Sequence, residues 1–443
     1  MFVFSRPAIQ QCLNSIAQRR VLSRAQLEEW VRRLNRVGVD RLATSWEVVV
    51  LEGLSHVGFV EHEIALPNGR KPDVAFRDPA NAERKFIADI TIVSDSALDD
   101  ANPVRSFSEN LARLAEEIGL NPNHLDYRID EYTDGQYPNA KRTLRLPPRD
   151  HMAVFLRTHV GPGLREIKER GLSHRTLKVV QGNVSFSVGY NASQLYMSGS
   201  YGAYHTATSL RRNPLWNKLE EKYQRQLQYV PTDTLSGLIV CDAGCALINA
   251  RHYAPGTYRV EDIIREFFRE HPDVHFVLLI SAERTSLSQS ASPLVLKPYL
   301  YRATPSNKEP DWLLNVFEMA LRRFPEPVLD PANSHIQTRE PGYRLGHHGG
   351  HKMGGTRVTI SARELAELLA GELTPERFNE LHGWDQSAAG GPRNLSPFAR
   401  FLLQGRMIQS IAVEPGTEDD DHWVTFEFGE PHPAISSFVV PKT

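Results

Sequence analysis

Residues 85–93, Lys85-Phe86-Ile87-Ala88-Asp89-Ile90-Thr91-Ile92-Val93, form an apolar run whose interior admits one charge, Asp89. Such a run, rich in β-branched side chains, predicts a buried strand. Side chains alternate across a strand, so Asp89 and Thr91 share one face while Ile90 and Ile92 take the other. A carboxylate in that setting is costly unless it is paired or binds a cation. A candidate neighbour lies upstream. Gly58–Ile64 reads as a strand, Pro67-Asn68-Gly69 as a turn, and Lys71-Pro72-Asp73-Val74-Ala75-Phe76 as the returning strand. In that arrangement Asp73 can lie beside Asp89.

Before the hairpin, Glu47 sits in the apolar helical run Trp46-Glu47-Val48-Val49-Val50-Leu51. Glu47 is preferred as the inward acid because its neighbours suggest burial, with Glu52 left open as the alternative. Two carboxylates and a strand backbone offer the hard oxygen ligands that Mg²⁺ takes.

An acid on a helix, a hairpin bearing Pro72-Asp73 and a strand bearing Asp89-Ile90-Thr91 follow one another here. Over residues 46–94 this order resembles the PD-(D/E)XK nuclease superfamily. The resemblance implies an α/β fold with a restriction-endonuclease-like mixed β-sheet flanked by helices. It implies Mg²⁺- or Mn²⁺-dependent hydrolysis of phosphodiester bonds in DNA, of the restriction or phage-defence kind, with RNA less favoured. Asp73, Asp89, Glu47 and the backbone carbonyl of Thr91 would surround the metal. Thr91 stands where the family keeps its catalytic Lys and cannot supply that charge. The resemblance therefore implies a substitute on the core helix near residues 215–228, Lys222 or Lys218, which lie four apart on one face. Lys71 and Lys85 are weaker candidates. The alternative is a nuclease fold without catalysis, acting as a binding or assembly module of a prokaryotic defence system.

The formal net charge of -2 excludes a globally basic nucleic-acid binder, so any such surface must be a local patch. Arg19, Arg20, Arg24, Arg32, Arg33 and Arg36 crowd the first forty residues; a solvated helix face is favoured there over a phosphate-contacting one. The 3 Cys argue against a disulfide framework, and no apolar run reaches membrane-spanning length. The expectation is a cytoplasmic protein without a membrane partner. A homodimer or a defence-system partner protein is left open.

The chain is expected to divide into N-terminal helices (1–41), a nuclease-like body (42–325) with an insertion at about 100–210, a linker (326–357) and a small C-terminal α+β domain (358–443). Ser23-Arg24-Ala25-Gln26 and Ser361-Ala362-Arg363-Glu364 are capping boxes. Residues 121–150 read as irregular, Met152–Arg157 as a strand, and Leu215–Gln228 as a helix before the buried strand Leu235–Asp242. Cys241 and Cys245 read as buried thiols, because zinc needs four ligands. His347, His348 and His351 sit among glycines and read as linker.

Overall fold

Lys85–Val93 is a strand (β3), third in a six-stranded sheet whose order follows the chain. The sheet's other strands are Phe59–Glu61 (β1), Val74–Arg77 (β2), Leu235–Asp242 (β4), Phe276–Arg284 (β5) and Leu294–Arg302 (β6). β1 and β2 pair antiparallel, as do β2 and β3; β4 and β5 are parallel, and β6 returns antiparallel. This computed structural model describes residues 3–35, 39–136, 140–249, 256–284, 294–303, 312–328, 330–331, 356–382, 384, 396–415 and 422–432. The class is mixed α/β, and no described helix is long and apolar enough to cross a membrane.

The chain divides into two compact units. The first comprises Met1–Ile92, Arg225–Gly244 and Val274–Thr443, and the second Val93–Gln224 and Cys245–Asp273. The second unit thus extends beyond the expected insertion at both ends, and takes in the segment after β4.

In the first unit, helices Arg6–Arg19 (α1), Arg24–Asn35 (α2), Val39–Ser55 (α3) and Trp312–Leu321 (α4) accompany the sheet. Ser5 caps α1 by accepting from the Ala8 amide at 3.3 Å. At α2 the expected capping box forms. Gln26 N donates to Ser23 Oγ at 3.4 Å, and Ser23 N donates to Gln26 Oε1 at 3.0 Å. α3 carries three consecutive valines, which have low helix propensity, yet burial holds them helical: Val48, Val49 and Val50 are all in the core.

One face of the sheet presents Val74, Phe76, Phe86, Ala88, Ile90, Ile239, Cys241, Phe276, Leu278 and Ile280 to a core shared with Trp46, Val49 and Leu51 of α3 and Phe317 of α4. Phe86 is its aromatic centre. Its ring stacks on Phe76 at 4.9 Å and meets Phe276 and Phe317, each at 5.5 Å. Gly237 fits this packing because a Cβ there would lie 2.4 Å from the Phe276 ring. By alternation, Asp89 and Thr91 project from the opposite face of β3.

Residues 356–432 carry a separate core. Arg357–Ser361 (β7), Ile408–Glu414 (β8) and Trp423–Phe428 (β9) form an antiparallel sheet in the order β7-β9-β8. Helices Ala362–Ala370, Pro375–Leu381 and Pro397–Leu403 accompany it, and Ile360, Phe378, Trp384, Phe401 and Phe426 fill the interior.

The second unit contains a four-stranded sheet of Leu125–Ile129, His174–Gln181, Val184–Asn191 and Ser198–Ser200. Two sequence expectations are corrected here. Met152–Arg157 is not a strand but part of the helix Met152–His159, with Met152, Leu156 and Val160 buried four residues apart. Residues 121–150 are not irregular throughout. Leu125, Tyr127 and Ile129 alternate inward on a strand whose partner is Val184–Asn191, so the pairing was invisible locally. The helix at Pro214 ends at Lys222, and Tyr223–Leu227 continues as a π turn.

Candidate functional site

Asp73 stands one residue before β2, and the register Val74↔Ala88 places it opposite Asp89. The two strands are tied there through the acids themselves. The Asp73 amide donates to Asp89 Oδ1 at 3.2 Å, and the Ile90 amide donates to Asp73 Oδ2 at 2.8 Å. Asp89 is completely buried, Asp73 partly so, and Thr91 is buried beside them along β3. Each carboxylate is thus fixed by a backbone amide of the neighbouring strand, which holds the two acids close together.

The hairpin's other strand supports Asp73 from behind. His62 Nδ1 lies 2.7 Å from the Asp73 carbonyl oxygen, which can only accept, so that ring nitrogen carries the proton. The imidazole is 4% exposed and meets the Trp30 ring of α2 edge-on at 5.2 Å. Glu63, two residues past the end of β1, adopts a left-handed backbone with φ 54, a sparsely occupied region for a residue with a Cβ.

Glu47 extends from α3, the helix over the opposite sheet face. Arg33 of α2 forks its carboxylate, with Nη1 to Oε2 at 2.9 Å and Nη2 to Oε1 at 3.2 Å. Glu52 faces elsewhere: its Oε1 accepts from Ser15 Oγ of α1 at 3.0 Å and lies 2.6 Å from His56 Nε2. Burial opposes the Arg33 charge, but Glu47, Asp40 and Asp73 outweigh it and raise its pKa above the ordinary value. Sequence reasoning placed Arg33 in a solvated basic face and gave His62 no role. The usable signal was the spacing of Trp30 and Arg33, one helical turn apart.

Two further arginines of the basic N-terminal segment are paired within their own helix. Arg24 pairs with Glu28 and Arg32 with Glu29, each within α2. Lys85 pairs with Asp233 at 2.5 Å. Lys218 and Lys222 both belong to the second unit; Lys218 Nζ reaches Glu221 Oε2 of its own helix at 2.8 Å.

Asp242, also completely buried, ends β4. Its Oδ2 accepts from Ser281 Oγ at 2.9 Å and its Oδ1 from the Gly244 amide at 2.9 Å. All three cysteines are buried thiols, and burial with the charges of Asp242 and Glu47 pushes the Cys241 thiol well up, which keeps it inert. His347, His348 and His351 lie outside the described residues.

Among the described residues, no group of three or more His, Cys, Asp or Glu side chains is arranged to hold a metal ion, so the candidate is a carboxylate pair. Such a pair suits Mg²⁺, which commonly takes one or two carboxylates and completes its shell with water and substrate phosphate. Searches against protein families, curated proteins and solved structures found no match.

Proposed function

We propose that this chain is a Mg²⁺-dependent endonuclease that hydrolyses phosphodiester bonds in DNA, of restriction or phage-defence type, on a restriction-endonuclease-like sheet. The observation that carries the reading is the reciprocal bonding of Asp73 and Asp89 between adjacent strands. The succession α3, hairpin, β3 and β4, with β3 and β4 adjacent in the sheet, accords with the fold that the resemblance implies. Asp73 and Asp89 would hold Mg²⁺ or Mn²⁺, with the Thr91 carbonyl as a further oxygen donor. When bound, the ion supplies Lewis-acid polarisation of a phosphate and lowers the pKa of its water. Asp89, buried and anchored by an amide, fixes the position of that charge, and Asp73, partly exposed, faces the solvent from which substrate arrives. Glu47 acts through Arg33 in this reading. For the charge that Thr91 lacks, the resemblance implies Lys222 or Lys218; Lys218 is paired with Glu221 of its own helix.

Two observations favour a second reading, a nuclease fold acting only as a binding or assembly module: Thr91 is uncharged, and the Glu47 carboxylate is forked by Arg33. Incubation of supercoiled DNA, linear DNA and RNA with the full chain and Mg²⁺ or Mn²⁺ separates the two. The endonuclease reading expects cation-dependent cutting of DNA, lost in Asp73→Asn and Asp89→Asn. Equal cutting by wild type and both variants, or DNA retention without cutting at any divalent concentration, defeats it.

A further inference from the structure

We infer that β8, the outer strand of the small C-terminal sheet, joins two copies of this chain, pairing antiparallel with β8 of a second copy about a two-fold axis at Ala412. The inference does not depend on the Asp73–Asp89 site.

The sheet carries two apolar rows on one face. Val358 of β7, Phe426 of β9 and Ile411 of β8 stand side by side, as do Ile360, Val424 and Val413. Residues directly opposite each other on neighbouring strands share a face. In each row the residues of β7 and β9 are between 1% and 7% exposed, whereas Ile411 is 58% exposed and Val413 59%. The core face therefore runs one strand further than its cover. Every residue of β8 is exposed, and among the described residues the strand pairs with β9 alone. Such an edge is a template for a further strand, and protected edges usually carry charge or proline along their length. β8 carries neither before Glu414. Its register shift lies between Ile408 and Ser410, which leaves Ser410 to Glu414 regular.

The order of side chains in that stretch selects the occupant. Antiparallel pairing centred on Ala412 sets Ile411 of each copy across from Val413 of the other, so both apolar rows continue into the second copy. It also sets Ser410 across from Glu414, a hydroxyl donor facing a carboxylate, and keeps the two Glu414 charges at opposite ends. Glu414 Oε1 accepts from Thr425 Oγ1 of its own sheet at 3.3 Å, and its second oxygen serves Ser410 of the other copy. An in-register parallel pair would place Glu414 against Glu414, which like charges oppose. Pro415 has no amide hydrogen and ends the ladder. One strand pair is smaller than a standard interface, so association is expected at about 1–100 µM.

The test is sedimentation velocity of the full chain over that range, joined to oxidative cross-linking of single-cysteine additions; the native thiols are buried. Ala412→Cys faces itself across the axis with Cα atoms about 4.5–5.5 Å apart, within disulfide range. Ser410→Cys faces residue 414 and lies about 14 Å from its own counterpart. The expected result is a concentration-dependent dimer in which Ala412→Cys cross-links and Ser410→Cys does not. Ile411→Lys is expected to weaken the dimer by about tenfold or more. Ser410→Glu is expected to weaken it as well, and Glu414→Lys added to Ser410→Glu to restore it. These positions are exposed, and circular dichroism checks that each variant is folded. A chain that stays monomeric to about 100 µM overturns the inference, leaving the edge to solvent or to a different protein. A dimer unaffected by Ile411→Lys, or equal cross-linking of Ser410→Cys and Ala412→Cys, overturns it too, because the contact would then lie elsewhere or in another register.

Discussion

Asp73 and Asp89 each receive a hydrogen bond from the other's strand: Asp89 Oδ1 from the Asp73 amide at 3.2 Å, and Asp73 Oδ2 from the Ile90 amide at 2.8 Å. The two acids are therefore both candidate ligands and the local fastening between β2 and β3. Substitution at either should separate these roles. Asn keeps an acceptor oxygen, so Asp73→Asn and Asp89→Asn are expected to retain the fold while losing cation-dependent cleavage. Asp89→Ala removes the acceptor of a partly buried amide and is expected to cost about 1–3 kcal/mol. Cleavage assays paired with urea denaturation check this; an Asn variant that unfolds as readily as the Ala variant would contradict it.

Lys218 belongs to an i,i+3 pair with Glu221 whose side chains are 42% and 33% exposed, so Lys218→Ala is expected to change stability by less than about 1 kcal/mol. Urea denaturation of wild type and variant measures this, and a larger loss would contradict the reading of an exposed, weakly stabilising pair.

Phe86 anchors the sheet face turned toward α3 and α4, in ring contact with Phe76, Phe276 and Phe317. Phe86→Ala is expected to destabilise the first unit by about 3–5 kcal/mol. Gly237→Ala is expected to destabilise it as well, because the added methyl meets the Phe276 ring at 2.4 Å. Chemical denaturation followed by tryptophan fluorescence measures both, and a loss below about 1 kcal/mol for Phe86→Ala would refute the proposed centre of the core.

A pH effect is expected in the second unit. His205 Nε2 lies 2.9 Å from Asp99 Oδ1, an oxygen that also accepts from the Tyr204 hydroxyl at 3.0 Å. Burial disfavours the imidazolium, but the hydrogen bond to Asp99 and the charges of Asp95 and Asp99 prevail, and the His205 pKa is raised above 6.5. A folded-state pKa above the unfolded one means that the stabilisation is complete below about pH 6.5 and is lost as pH rises through the folded value. The difference in Tm between wild type and His205→Gln should accordingly shrink from about pH 6 to about pH 8.5. A constant difference across that range would rule out the ion pair as its source.

Much of the fold was legible because its signals are local. Alternation in residues 85–93 gave β3 its two faces, Pro67-Asn68-Gly69 marked the turn of the hairpin, and Ser23 and Ser361 announced helix starts through bonds within one turn. The closeness of Asp73 to Asp89 was legible for the same reason, since a hairpin and the strand after it have few ways to pair.

The rest depended on contacts between residues distant in sequence. Met152–His159 is a helix because Met152, Leu156 and Val160 are buried four apart within a core that no short window displays. Leu125–Ile129 is a strand because residues 184–191 pair with it. Between Glu47 and Glu52, two acids on one apolar helix, the sequence expressed only a preference. Packing decided what each acid meets, by bringing Arg33 of α2 to Glu47 and Ser15 of α1 to Glu52. A local pattern can assign a residue to a helix and to one side of a strand. Which charge stands opposite it depends on how separate elements dock, and burial in three dimensions alone decides that.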